Sequence, residues 1–135
     1  MPNYILEYWQ EMKEGRVTVS KRIYKQYEKL IEDMNYHPKY VYDEAKAERP
    51  IQFIESFCRH SKGELAGKPL KLALFQKAYI SALFGFIDKE TGHRRYTESF
   101  FFVGRKNCKT TMLSAIALYM MIADGESGAE VYSVA

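Results

Sequence analysis

The sequence predicts an α/β chain: amino-terminal helices followed by the first strand–loop–helix–strand unit of a parallel sheet. Three observations predict it. Apolar residues recur at helical spacing over residues 3–14, 20–35 and 70–84. The apolar run Phe100-Phe101-Phe102-Val103 breaks into the polar turn Gly104-Arg105-Lys106-Asn107-Cys108-Lys109-Thr110-Thr111, which opens into a helix-like stretch from Met112 to Ala123. After the turn Asp124 to Gly128, residues 130–134 alternate as a strand does, Val131 and Ser133 against Tyr132 and Val134. Such a crossover is right-handed and joins parallel strands.

The amino-terminal elements follow in order. Tyr4, Ile5, Tyr8, Trp9 and Met12 give a short amphipathic helix over 3–14, and Gly15 suits its C-terminal cap. Val17 to Ser20 is expected to be an extended linker. A second helix spans Ser20 to Asn35, capped by the Ser20 hydroxyl and stopped by His37-Pro38, with Ile23, Tyr27, Leu30, Ile31 and Met34 on its apolar face. Lys21, Arg22, Lys25 and Lys29 lie off that face, on a side expected to be solvated or to touch nucleic acid. Tyr40-Val41-Tyr42 is expected to be an aromatic linker. A third helix begins near Glu44 or at Pro50 and buries Ile51, Ile54, Phe57 and Cys58, leaving His60 at the surface. Ser61 to Pro69 forms a loop. Leu72, Phe75, Tyr79, Leu83 and Phe84 mark one face of a helix over 70–84, ended by Gly85. Asp88 to Tyr96 is a polar turn in which Arg94 and Arg95 are expected to be solvated.

Composition narrows the class. The 135 residues are enough for one domain, burying about two-thirds of the unfolded surface. A hydrophobic fraction of 47%, with 11 Tyr and 8 Phe, excludes a disordered chain. The net charge of +3 is compatible with a polyanionic partner without indicating one. Cys58 and Cys108 supply neither a disulfide framework nor a metal-ligand spacing, which fits a reducing compartment. Glu7, Glu11, Lys13 and Glu14 interrupt anything resembling a signal peptide, and no apolar run approaches the roughly 20 residues of a membrane span. These features predict a soluble intracellular chain.

The turn at 104–111 carries the chemistry. A strand, a tight turn holding Lys-Thr, and then a helix make a phosphate-binding arrangement: backbone N–H groups and the positive helix end face an anion. Lys109 would reach the β- and γ-phosphates of ATP, and the Thr110 hydroxyl would sit on Mg²⁺. The pattern G-x-x-x-x-G-K-[ST] is not met, because Val103 and Cys108 occupy its glycine positions and Gly104 comes one place late. The competing reading of the same residues is a β-turn with a solvated basic cluster at a helix start.

The stretch resembles the variant Walker A motif of tailed-phage terminase large subunits, (V/A)-x-R-K-N-G-K-[ST]-T. Arg105, Lys106, Asn107, Lys109, Thr110 and Thr111 fall on it and Cys108 departs from it. The resemblance extends from about Tyr4 onward. It implies a P-loop NTPase parallel sheet, here incomplete, with a helical region at 1–69 and the start of an ATPase core at 70–135. It implies ATP and Mg²⁺ as cofactors, with Gly104, Arg105, Lys106, Asn107, Cys108, Lys109, Thr110 and Thr111 around the nucleotide. Gln76, in Phe75-Gln76, is similar to an adenine-reading glutamine, since an amide both donates to and accepts from a base edge. Phage DNA, the small terminase subunit and the portal are the implied partners, in the cytoplasm of a bacterial host cell. In that family, Mg²⁺-binding acidic residues and a nuclease domain lie further along, and no apolar strand here ends in Asp-Glu. The sequence is therefore expected to be an amino-terminal fragment of a phage or prophage motor, able to cradle nucleotide but not to hydrolyse it. A small basic nucleic-acid-binding or interaction protein, or an inert prophage remnant, is the alternative.

Overall fold

The first helix starts at Asn3 because its side-chain oxygen accepts the Leu6 N–H at 3.1 Å, meeting one of the donors that a helix start leaves open. The structure, a computed structural model, describes residues 3–58, 71–96 and 115–120. Helix α1 runs Tyr4–Lys13. Gly15, at φ +77°, ends it in a Schellman arrangement: Arg16 N–H donates to the Glu11 carbonyl and Gly15 N–H to that of Met12. Helix α2 is Lys21–Asn35, its start fixed by the Ser20 hydroxyl accepting from Ile23 N–H at 3.3 Å.

Strand β1 is Tyr40–Tyr42, where the sequence predicts a linker. It pairs antiparallel with β2, Phe86–Asp88, in the register Tyr40 to Asp88, Val41 to Ile87 and Tyr42 to Phe86. A three-residue run carries too little pattern to announce a strand whose partner lies 46 residues away. The turn into β1 is held by His37 Nδ1, which accepts the N–H groups of Lys39 and Tyr40 at 3.0 and 3.1 Å.

Helix α3 is Glu44–Phe57. Asp43 Oδ1 accepts from the N–H groups of Ala45 and Lys46, so the helix begins at Glu44 and carries Pro50 in its interior, not at its first turn. Ile51 and Ile54 are fully buried and Cys58 is half-buried. The Phe57 side chain and His60 lie outside the described residues. Helix α4 is Leu74–Gly85. Its buried positions are Gln76, Ala78, Ile80, Ser81, Phe84 and Gly85, while Phe75, Tyr79 and Leu83 of the predicted stripe are half-buried. A helix apolar on most sides has no single stripe to read.

By compactness, residues 1–51 and 72–99 form one unit and residues 52–71 and 100–135 a second. The first unit packs Ile5, Trp9 and Met12 of α1 against Tyr27 and Leu30 of α2, Ala78 of α4 and Phe86 of β2. Tyr8 meets the edge of Tyr27 at 5.2 Å between centroids. Ile23, predicted on the apolar face, is 41% exposed, because burial on α2 begins one turn later at Tyr27. Gly85 lets the Tyr42 ring close on α4, since a Cβ there would meet that ring at 2.9 Å and the Ala47 Cβ at 3.0 Å.

Arg95 is not solvated as predicted. Its Nη1 lies 2.8 Å from Asp33 Oδ2, with side-chain exposures of 15% and 13%. The guanidinium also stacks within 4.9 Å of the Tyr40 ring centroid and 5.1 Å of the Tyr96 centroid. Removing one partner of a buried pair strands the other charge, at about 3 kcal/mol or more. Arg95→Met should therefore lower the unfolding free energy by about 3 kcal/mol in urea titrations, and adding Asp33→Asn should recover part of it. A loss under about 1 kcal/mol would be that of a surface pair.

Burial pushes the Tyr42 phenol up to about 12, and the nearby carboxylates of Glu44, Glu48 and Asp43 act in the same direction. The ordinary value is 10.0, so the folded state holds this proton more tightly than the unfolded chain. Its contribution to stability is complete below pH 10 and is lost as pH rises from 10 to about 12. Tyr42→Phe should flatten the alkaline fall in unfolding free energy by up to about 1.4 kcal/mol per pH unit, followed by melting curves between pH 9 and 12.

Candidate nucleotide site

Of the predicted site residues, Gly104, Arg105, Lys106, Asn107, Cys108, Lys109, Thr110 and Thr111 lie outside the described residues, as do the predicted strands at 100–103 and 130–134. Gln76, the chain up to Tyr96 and residues 115–120 are described.

Gln76 sits three residues into the start of α4. Ala73, the residue before the helix, has no side-chain oxygen with which to cap it. Gln76 supplies the other half of the arrangement: its Oε1 accepts the Ala73 N–H at 2.8 Å. The side chain is 5% exposed. A glutamine three positions after a helix start is itself the signal for this cap. Next to it, Lys77 Nζ lies 5.0 Å from the Tyr4 ring centroid and so ties α4 to α1.

Upstream of the loop, the chain is pinned from β2 to Tyr96. Asp88 Oδ1 accepts the N–H groups of Glu90 and Thr91 at 2.8 and 3.2 Å, and these bonds hold its carboxyl below the usual range. Gly92, at φ +75°, completes the turn. Ile87 then bridges Arg94, Arg95 N–H donates to the Phe86 carbonyl at 2.8 Å, and the guanidinium reaches Asp33. Downstream, residues 115–120 are helical, within the predicted helix 112–123. Ala115, Ile116 and Tyr119 are buried there, and Tyr119 meets Phe53 edge-on at 5.5 Å. Among the described residues, no group of His, Cys, Asp or Glu is placed to hold a metal ion, and no helix is long and apolar enough to cross a membrane.

Residues 74–135 match the family described as terminase large subunit, ATPase domain. The match opens on the first residue of α4 and includes the predicted loop residues 104–111 and the helical residues 115–120. This segment is similar to the ATPase portion of terminase large subunits. A relative in the phage world is the terminase large subunit of Enterobacteria phage HK97, 36% identical over 77 residues, which is 57% of this chain and 14% of that protein. The matched chain thus spans about a seventh of the relative's length. No solved structure matches.

Because Ala73 offers no cap of its own, Gln76→Ala should lower the unfolding free energy by about 1 kcal/mol and loosen hydrogen-exchange protection in the first turn of α4. Unchanged exchange there would show that Oε1 does not hold the helix start.

Proposed function

We propose that the chain is an amino-terminal part of a terminase large subunit and that residues 104–111 cradle the triphosphate of ATP. The reading is carried by the family match over 74–135, which contains Lys109-Thr110 between an apolar run and a helix. Lys109 neutralises the β- and γ-phosphates, the Thr110 hydroxyl ligates Mg²⁺, and Arg105 and Lys106 add positive charge beside them. The surrounding fold in this reading is the opening strand–loop–helix–strand unit of a P-loop parallel sheet. Residues 1–69 form a helical region and the ATPase core begins at 70. The compact unit of α1, α2, α4 and β2 spans that boundary, so the start of the core packs on the helical region.

Gln76 reads the adenine edge in this proposal. To do so its amide must either leave the Ala73 N–H or address the base through Nε2 alone. Cys108 replaces the glycine that lets a backbone approach phosphate closely. Strain of about 1–3 kcal/mol there corresponds to roughly ten- to a hundredfold in affinity. These 135 residues by themselves bind nucleotide weakly and do not turn it over, because hydrolysis also needs an acidic residue on Mg²⁺ and a group that orients water. In the whole protein, ATP use drives phage DNA into a capsid through the small subunit and portal, in the cytoplasm of the bacterial host.

Thermal shift with Mg-ATP tests the proposal. Nucleotide at about 100 times Kd should raise stability by roughly 2.7 kcal/mol. Lys109→Ala should abolish the shift, and Cys108→Gly should produce it at ten- to a hundredfold lower ATP. Equal shifts in wild type and Lys109→Ala would refute the site.

A further inference from the structure

Between α2 and β1 the chain turns on one side chain. Pro38 has no N–H, so the first donors after His37 are the amides of Lys39 and Tyr40. Both point at one atom: His37 Nδ1 accepts them at 3.0 and 3.1 Å. Two N–H groups can share that nitrogen only while it carries a lone pair, so the closed turn requires Nδ1 to be unprotonated. The ring is half-buried and its centroid lies 5.1 Å from that of Tyr40. Strand β1 starts at the residue whose N–H the ring holds, and the Lys39 carbonyl beside it accepts from Lys89 N–H at 3.0 Å.

The surroundings offer a protonated ring nothing in exchange. Asp33, near the end of α2, is taken by Arg95 at 2.8 Å. Asp88, in β2, faces Lys39 at 4.0 Å, and its other oxygen holds the amides of Glu90 and Thr91. Lys89 Nζ lies 5.6 Å from the Tyr36 ring centroid and adds a further positive charge. Glu32 at the end of α2, and Glu90 and His93 in the hairpin, are exposed. Among the described residues no carboxylate is within ion-pairing reach of the His37 ring. A proton on Nδ1 therefore sets N–H against two N–H groups, with no anion to hold the imidazolium in place.

We propose that His37 is a pH-operated latch on the entry to β1. Histidine is the side chain that changes charge between about pH 5 and 8. With Nδ1 unprotonated, the ring closes the turn. On proton uptake the acceptor becomes a donor, both amide bonds are lost and the ring leaves its place. The first residue of β1 loosens with it: Tyr40 pairs with Asp88, and the Arg95 guanidinium lies 4.9 Å from its ring centroid. The direction is fixed by the chemistry, so the turn is closed above the histidine range and opens as pH falls through it. The latch lies within the first compact unit and does not depend on the nucleotide loop.

NMR of the full chain tests it, with amide exchange expressed as protection factors so that the intrinsic pH dependence of exchange is removed. The Tyr40 protection factor should fall roughly tenfold between about pH 7.5 and pH 5, in step with the titration of the His37 ring signals, since two hydrogen bonds are lost. In His37→Asn the side-chain oxygen accepts the same amides and does not titrate, so protection at Tyr40 should persist at both pH values. His37→Ala should leave Tyr40 poorly protected at both. His93→Asn should respond as the wild type does, which separates the latch from the other histidine of the hairpin. A His37 ring that titrates while Tyr40 protection holds, a ring still unprotonated at pH 5, or a wild-type pH response in His37→Asn would each overturn the proposal.

Discussion

A guanidinium taken largely out of water must be matched by a carboxylate held in place, and here the two come from positions 62 residues apart. Arg95 follows the β2 hairpin and Asp33 lies near the end of α2, so the pair fixes the sheet against the helix. Tyr40, Phe86 and Tyr96 stack around the guanidinium and exclude the water that would otherwise weaken the contact. The same hairpin places Phe86, fully buried, against the α1–α2–α4 core. Ion pair and core therefore reinforce each other, and the chain entering the predicted loop region departs from an anchored point.

That anchoring bears on how a nucleotide site would be built. Phosphate chemistry is mostly positioning, and each compact unit anchors its own stretch of chain. The upstream flank is held by backbone bonds to Phe86 and by the Asp33 pair; the helical residues downstream are held by buried Ala115, Ile116 and Tyr119. Gln76 shows a competing demand. Its carbonyl oxygen already caps α4, and a side chain serving structure has less freedom to serve a ligand.

The two faces of α2 illustrate a division of labour along one helix. Tyr27 and Leu30 commit one side to the core, and Ile31 and Met34 pack against them. The other side keeps Lys21, Lys25 and Lys29 in solvent. Neither role disturbs the other, because residues at i and i+4 share a face and the two rows do not mix.

The sequence by itself determined the local features. Gly15 and Ser20 announced the end of α1 and the start of α2, and the spacing of Ile5, Trp9 and Met12 announced the buried side of α1. Caps and periodicity are set by residues a few positions apart, so they can be read from a linear string. The spacing of residue types from Gly104 to Thr111 resembles the terminase motif, and residues 74–135 match the terminase large subunit ATPase domain family. Only the tertiary structure decided that Tyr40–Tyr42 is a strand, that Arg95 is buried on Asp33, that Ile23 is left exposed, and that Gln76 is enclosed. Each of those depends on a partner or a covering surface that the fold supplies, and hydrophobic pattern carries no record of who the partner is.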